Sequence, residues 1–193
     1  MSRRPATWAA LLAALTVAGC SGLNPFANEP VLLPCPDYSI PADSATVVQF
    51  VPGEGRDLID VEHSGRIGNV RMVCEYDIDK ETNAGTVTVE ANVLFAVERG
   101  PANKSRRATY PYFIAVTDAD KRVLYREELA LRVGFAGNVS RRIVPGEKIV
   151  LEIPVKQAED AQFLRLYTGF LLTEDQLAYN RKLRQARSRR SPR

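Results

Sequence analysis

The sequence predicts an all-β domain, two antiparallel sheets packed as a β-sandwich with one helix appended at the C-terminal end; a small closed β-barrel is the alternative. Three observations carry that expectation. From Ser44 to Leu172 apolar residues recur at every second position, the period of a half-buried strand. Clusters of Gly, Pro, Asn and Asp cut the pattern into about seven short strands. No long segment of helical spacing lies between them, which argues against parallel βαβ units.

Taken in order, Thr46–Val51 is a short strand ended by the turn Pro52-Gly53-Glu54-Gly55, and Leu58–Glu62 reads as a second. A loop with Ser64-Gly65 and Gly68-Asn69 follows. Val70, Met72, Cys74 and Tyr76 then alternate with Arg71, Glu75 and Asp77, placing Cys74 on an apolar strand face. Gly85–Glu98 is the clearest strand: Val87, Val89, Ala91, Val93, Phe95 and Val97 share one face opposite Thr86, Thr88, Glu90 and Asn92. Arg99–Thr109 reads as a polar loop with Arg106-Arg107 at its tip. Tyr110–Thr117 and Val123–Gly134 flank Asp118-Ala119-Asp120-Lys121, a hairpin signal.

Val139–Val144 leads into Pro145-Gly146-Glu147, which reads as a turn. Ile149, Leu151, Ile153 and Val155 then alternate with Lys148, Val150, Glu152 and Pro154. That run resembles a strand of immunoglobulin-like or fibronectin-like modules, which implies a fold and no activity. Glu159–Gln162 is expected to form one helical turn before a last strand, Phe163–Leu172. Thr173-Glu174-Asp175-Gln176 is a capping box. It predicts a helix from Glu174 into Arg187 whose thin apolar face (Leu177, Leu183, Ala186) docks only its first turns. Ser188–Arg193 is expected to be disordered.

The apolar and charged fractions, 45% and 25%, are those of a globular domain. The net charge of +3 is unevenly spread. Arg3 and Arg4 stand at the start, and Arg181–Arg193 is basic throughout with no acid, so residues 20–180 are mildly acidic.

Before the domain, Arg3-Arg4 and the apolar run Ala6–Ala18 have the charge order and length of an export signal. The run is short of the roughly 20 apolar residues that a membrane span needs. It closes on Val17-Ala18-Gly19-Cys20, which resembles the lipobox of bacterial lipoprotein precursors. The resemblance implies a signal peptide over residues 1–19, cleavage after Gly19 and lipidation of Cys20. Ser21 in the next position, rather than Asp, implies sorting to the outer membrane, at its periplasmic face. Residues 20–43, with their prolines, then form an extended tether, 44–173 the sandwich and 174–193 the basic helix and tail. With Cys20 lipidated in an oxidising compartment, Cys35 and Cys74 remain as an even pair and are expected to form a disulfide; two separate buried thiols are the alternative.

Chemistry-bearing residues are few. His63 is the single histidine and reads as a surface or turn residue, with no nucleophile at a useful spacing. Asp77, Asp79 and Glu81 alternate as calcium ligands do, but the glycine and final glutamate of such a loop are out of place, so an acidic hairpin turn is expected. Pro52-Gly53-Glu54-Gly55 lacks the longer glycine pattern and lysine of a phosphate loop. Glu127 and Glu128, adjacent on a strand, point to opposite faces.

No enzyme, cofactor or metal site is expected. The expected role is a non-enzymatic binding or scaffolding module of the cell envelope, anchored in the membrane by its lipid and meeting an envelope protein partner. Its contacts would be an edge strand or the loops Arg99–Thr109 and Asp77–Gly85, with the basic tail as a second contact. The alternative is a module that binds cell-wall polymer or anionic lipid through Arg181, Lys182, Arg184, Arg187, Arg189 and Arg190. The export signal argues against a nucleic acid as the partner of that basic run.

Overall fold

A computed structural model describes residues 34–190. The expected signal peptide, Cys20 and the tether up to residue 33 lie outside the described residues, as does the end of the tail beyond Arg190.

Eight strands follow one another as β1 (Asp37–Ser39), β2 (Thr46–Phe50), β3 (Val61–Ile78), β4 (Gly85–Arg99), β5 (Arg107–Thr117), β6 (Val123–Gly134), β7 (Arg141–Val155) and β8 (Arg165–Phe170), with helix α1 (Glu174–Arg190) last. They form two four-stranded sheets, ordered β1-β8-β5-β6 and β2-β3-β4-β7. Every pairing is antiparallel except β1 on β8. Neither sheet closes on itself, so the barrel alternative is overturned.

The two sheets share one core. The inward face of β4 is almost wholly buried from Val87 to Val97, as its alternation predicts. Tyr110, Tyr112 and Ile114 of β5 and Phe170 of β8 supply the other side. The Phe95 ring stands 4.8 Å from Tyr112, edge to face, and 5.7 Å from Phe170. Fully burying each such side chain contributes about 1.5–3 kcal/mol.

Cys35 and Cys74 are bonded to each other, with Cα atoms 5.5 Å apart. The bond joins the segment entering β1, on the first sheet, to β3 of the second. Beside it the Tyr76 hydroxyl donates to the Pro34 carbonyl at 2.6 Å.

Several expectations are corrected. Leu58–Asp60 is a 3-10 turn, not a strand: the Asp57 N–H donates to Asp60 Oδ2 at 3.1 Å, and this local bond leaves Leu58 and Ile59 exposed. Ser64–Asn69 is not a loop but the interior of β3, bent by a bulge between Ile67 and Asn69. Gly65 serves close packing there, since a Cβ would meet the Tyr110 ring at 3.1 Å and the Phe170 ring at 3.2 Å.

Pro145-Gly146-Glu147 is not a turn either. β7 runs through it with a bulge opposite Val93, and Asn92 Nδ2 donates to the freed Gly146 carbonyl at 2.9 Å. A Cβ on Gly146 would lie 2.9 Å from the Tyr112 hydroxyl, so glycine admits the tyrosine. The chain reverses instead at Ala136–Val139, where Gly137 has φ 54°.

The loop after β4 is shorter than expected. Buried Asn103 organises it, accepting from the Arg106 N–H at 2.8 Å and donating to the Arg107 carbonyl at 2.9 Å, and Arg107 already begins β5. The β5–β6 hairpin turns where predicted, with Asp118 Oδ1 accepting the N–H groups of Asp120 and Arg122. A 3-10 turn at Ala158–Phe163 precedes β8, which is shorter at both ends than its apolar run. α1 extends to Arg190, so Ser188 and Arg189 are helical rather than disordered.

Candidate functional site: the groove beside the basic helix

α1 begins on the predicted capping box. The Gln176 N–H donates to Thr173 Oγ1 at 3.3 Å, and Gln176 Oε1 accepts from the Thr173 N–H at 3.0 Å. The reciprocal pair satisfies two backbone donors that the first turn leaves open.

The helix then lies along β2, held mostly by polar contacts. Tyr179 meets Phe50 edge to face at 5.2 Å, and Gln176 Nε2 donates to Gln49 Oε1 at 2.9 Å. Asn180 is buried, and its Nδ2 donates to the carbonyls of Asp43 and Thr46 at 2.9 and 2.8 Å. Arg181 and Arg184 both reach the Asp43 carboxylate, at 3.2 and 2.6 Å. Two of the arginines expected to meet an outside anion are thus engaged by the protein's own carboxylate. Lys182, Arg187 and Arg189 are exposed.

Beyond Asn180, α1 and the outer face of β2, β3 and β4 enclose a half-open groove of about 510 Å³. Val48, Ala96 and Leu183 make its apolar lining, and Arg66, Arg184 and Arg187 its charged one. Arg66 reaches it because, in the ladders of β3, it stands between Thr46 and Ala96. The acid in the groove, Glu98, is paired with Arg141 at 3.0 Å. Among the described residues neither Arg66 nor Arg187 makes an ion pair. An open, amphiphilic cleft with two unopposed guanidinium groups can bind an anion and bury a small apolar group beside it.

The other candidates have structural roles. His63 is not a surface residue. It faces inward from β3 with its side chain 11% exposed, and its ring meets Tyr110 edge to face at 4.9 Å. Burial depresses its pKa, outweighing the raising effect of Glu62. Asp79 Oδ1 accepts the Thr82 N–H, the Thr82 hydroxyl and the Glu81 N–H, bonds that hold its carboxyl below the usual range and shape the β3–β4 turn. Among the described residues no group of three or more His, Cys, Asp or Glu could hold a metal ion. The Tyr125 hydroxyl donates to Glu127, while Glu128 pairs with Arg126 at 3.0 Å. Among the described residues no helix is long and apolar enough to cross a membrane.

Sequence reasoning missed Arg66, Asp43 and Asn180. The glycines on either side of Arg66 suggested a loop, which hid its place on a sheet face. Asn180 was overlooked because an apolar face was sought where a polar side chain does the docking.

Comparison with family models, curated proteins and solved structures finds no match for this chain.

Proposed function

We propose that the chain is a lipid-anchored protein of the bacterial cell envelope, held by Cys20 at the periplasmic face of the outer membrane and acting as a non-enzymatic binding or scaffolding module. The lipobox resemblance and the proline-bearing tether support the location. The observation that carries the binding role is the pair Arg66 and Arg187, unopposed among the described residues on facing walls of one groove.

The two sheets support a reading as an immunoglobulin- or fibronectin-like sandwich. β3, β4 and β7 then stand where strands A, B and E stand in that fold, and β8 and β5 where F and C stand. β1 takes the place of strand G but runs parallel to its neighbour, and β2 is an addition at the opposite sheet's edge. The fold supplies a platform and carries no function of its own.

Two measurements test the reading. Cys20→Ser should leave the precursor uncut and unlabelled by palmitate, while Cys35→Ser or Cys74→Ser keeps the label. Affinity purification from detergent-solubilised envelopes should recover a stoichiometric protein partner, and repeated failure would contradict a scaffolding role.

The exposed Lys182, Arg187 and Arg189 favour a second reading, in which α1 grips cell-wall polymer or anionic lipid. Each basic residue near an anionic surface contributes about 1 kcal/mol, screened by salt. Removing residues 181–193 should then abolish sedimentation with purified cell wall or anionic vesicles, and unchanged sedimentation at low salt would sink it.

A further inference from the structure

We propose that the groove between α1 and the outer face of β2, β3 and β4 receives an extended acidic peptide segment of a partner protein. Two carboxylates meet Arg66 and Arg187, and an apolar side chain between them rests on Val48, Ala96 and Leu183. The inference rests on the binding-module reading above and names the class of ligand.

The protein already shows how this helix holds a carboxylate. Asp43 sits between Arg181 and Arg184, so those two guanidinium groups are occupied and the charge left for a ligand is that of Arg66 and Arg187. Guanidinium groups favour planar, bidentate partners, a description that carboxylates fit.

The apolar lining separates a peptide from the other anions. An unsubstituted polysaccharide has no aliphatic side chain to bury there. A bilayer surface is broad, whereas this cleft is recessed between a helix and a sheet. A peptide supplies acid and hydrocarbon within a few residues of each other.

Strand addition is not the mode of contact at β2. Its Thr46 carbonyl is taken by Asn180, and α1 lies along it, so recognition falls to side chains on the sheet's outer face. Lys182 and Arg189, exposed outside the groove, speed the approach of an acidic segment without touching it.

The test uses the full-length protein in detergent and a fluorescein-labelled peptide of alternating Glu and Leu, followed by fluorescence anisotropy. The peptide should bind, and the Arg66→Glu, Arg187→Glu double variant should weaken binding by about tenfold or more. Arg132→Glu, an exposed reversal on β6, should leave it unchanged. A matching peptide of Gln and Leu should not bind. An unchanged melting temperature of the double variant would show that its loss is not misfolding.

Peptide binding indifferent to the double reversal overturns the proposal. So does an absence of peptide binding together with phosphatidylglycerol-vesicle binding that the same reversal removes, which would assign the groove to lipid. Photo-crosslinkers at positions 48 and 88, in intact envelopes, separate this inference from the broader one. Protein adducts at 48 that the double reversal removes support both. Adducts at 88 with none at 48 refute the groove and keep the scaffold, and none at either position together with no partner recovered from the envelopes refutes both.

Discussion

The two ends of the described chain are tied to the body in opposite ways. The N-terminal segment is held by a covalent bond, Cys35–Cys74, and by a backbone ladder in which Asp37, Tyr38 and Ser39 pair with Arg165, Leu166 and Tyr167. The C-terminal helix is held by side chains: one aromatic pair, a handful of polar contacts and two ion pairs to Asp43. The first kind of attachment is nearly indifferent to salt, whereas the ion pairs of the second are partly exposed and screened by it. The two are also in series. β1 delivers the chain to Asp43 and Thr46, the residues on which α1 docks. Loosening the N-terminal clamp should therefore loosen the helix, and releasing the helix should leave the clamp intact.

The largest break is at the disulfide. Replacing both Cys35 and Cys74 by Ser opens a loop spanning 39 residues and should cost about 3–4 kcal/mol in the chain-entropy model. Urea titration measures the loss, and trypsin should cut α1 faster in this variant. Asn180→Ala should cost about 1–3 kcal/mol by leaving the carbonyls of Asp43 and Thr46 unpaired. It should speed cleavage in α1 while the Cys35–Cys74 segment stays resistant, and equal loosening of both ends would refute the serial arrangement. Thr173→Ala, which removes the helix cap, should cost about 1 kcal/mol in the same titration.

Acid probes the neighbouring strand. The depressed pKa of His63 means that the folded chain holds fewer protons than the unfolded one, so stability is complete above the unfolded value of 6.5 and falls as pH drops below it. Melting temperatures measured from neutral to mildly acidic pH should show this decline, and His63→Gln should flatten it. The mildest change is Asp43→Asn. It weakens partly exposed ion pairs, should cost less than about 1 kcal/mol, and its difference from the parent should vanish at high salt.

Much of the scaffold was legible because it is local. The alternation of Val87 to Val97 needs only a half-buried strand, and Asp118-Ala119-Asp120-Lys121 turns the chain by its own hydrogen bonds. The Thr173–Gln176 box starts α1 for the same reason. What stayed hidden depends on partners distant in sequence. Gly146 looks like a turn until Tyr112 arrives from the opposite sheet, and Gly65 looks like a loop until Tyr110 and Phe170 press against it. His63 seemed solvated because its ladder partner and the ring that covers it come from elsewhere in the chain. The groove was least legible, because Arg66, Ala96 and Arg187 meet only once β3, β4 and α1 are assembled.

The prolines of β7 have a consequence for molecules packed side by side. β7 is the outermost strand of its sheet, and a strand laid along it would find no amide hydrogen at Pro145 or Pro154. On the other sheet, the free flank of β6 carries the half-covered carboxylate of Glu127, which resists being sealed beneath a neighbour. Crowded copies are thus hindered from zipping together along either of these two edges.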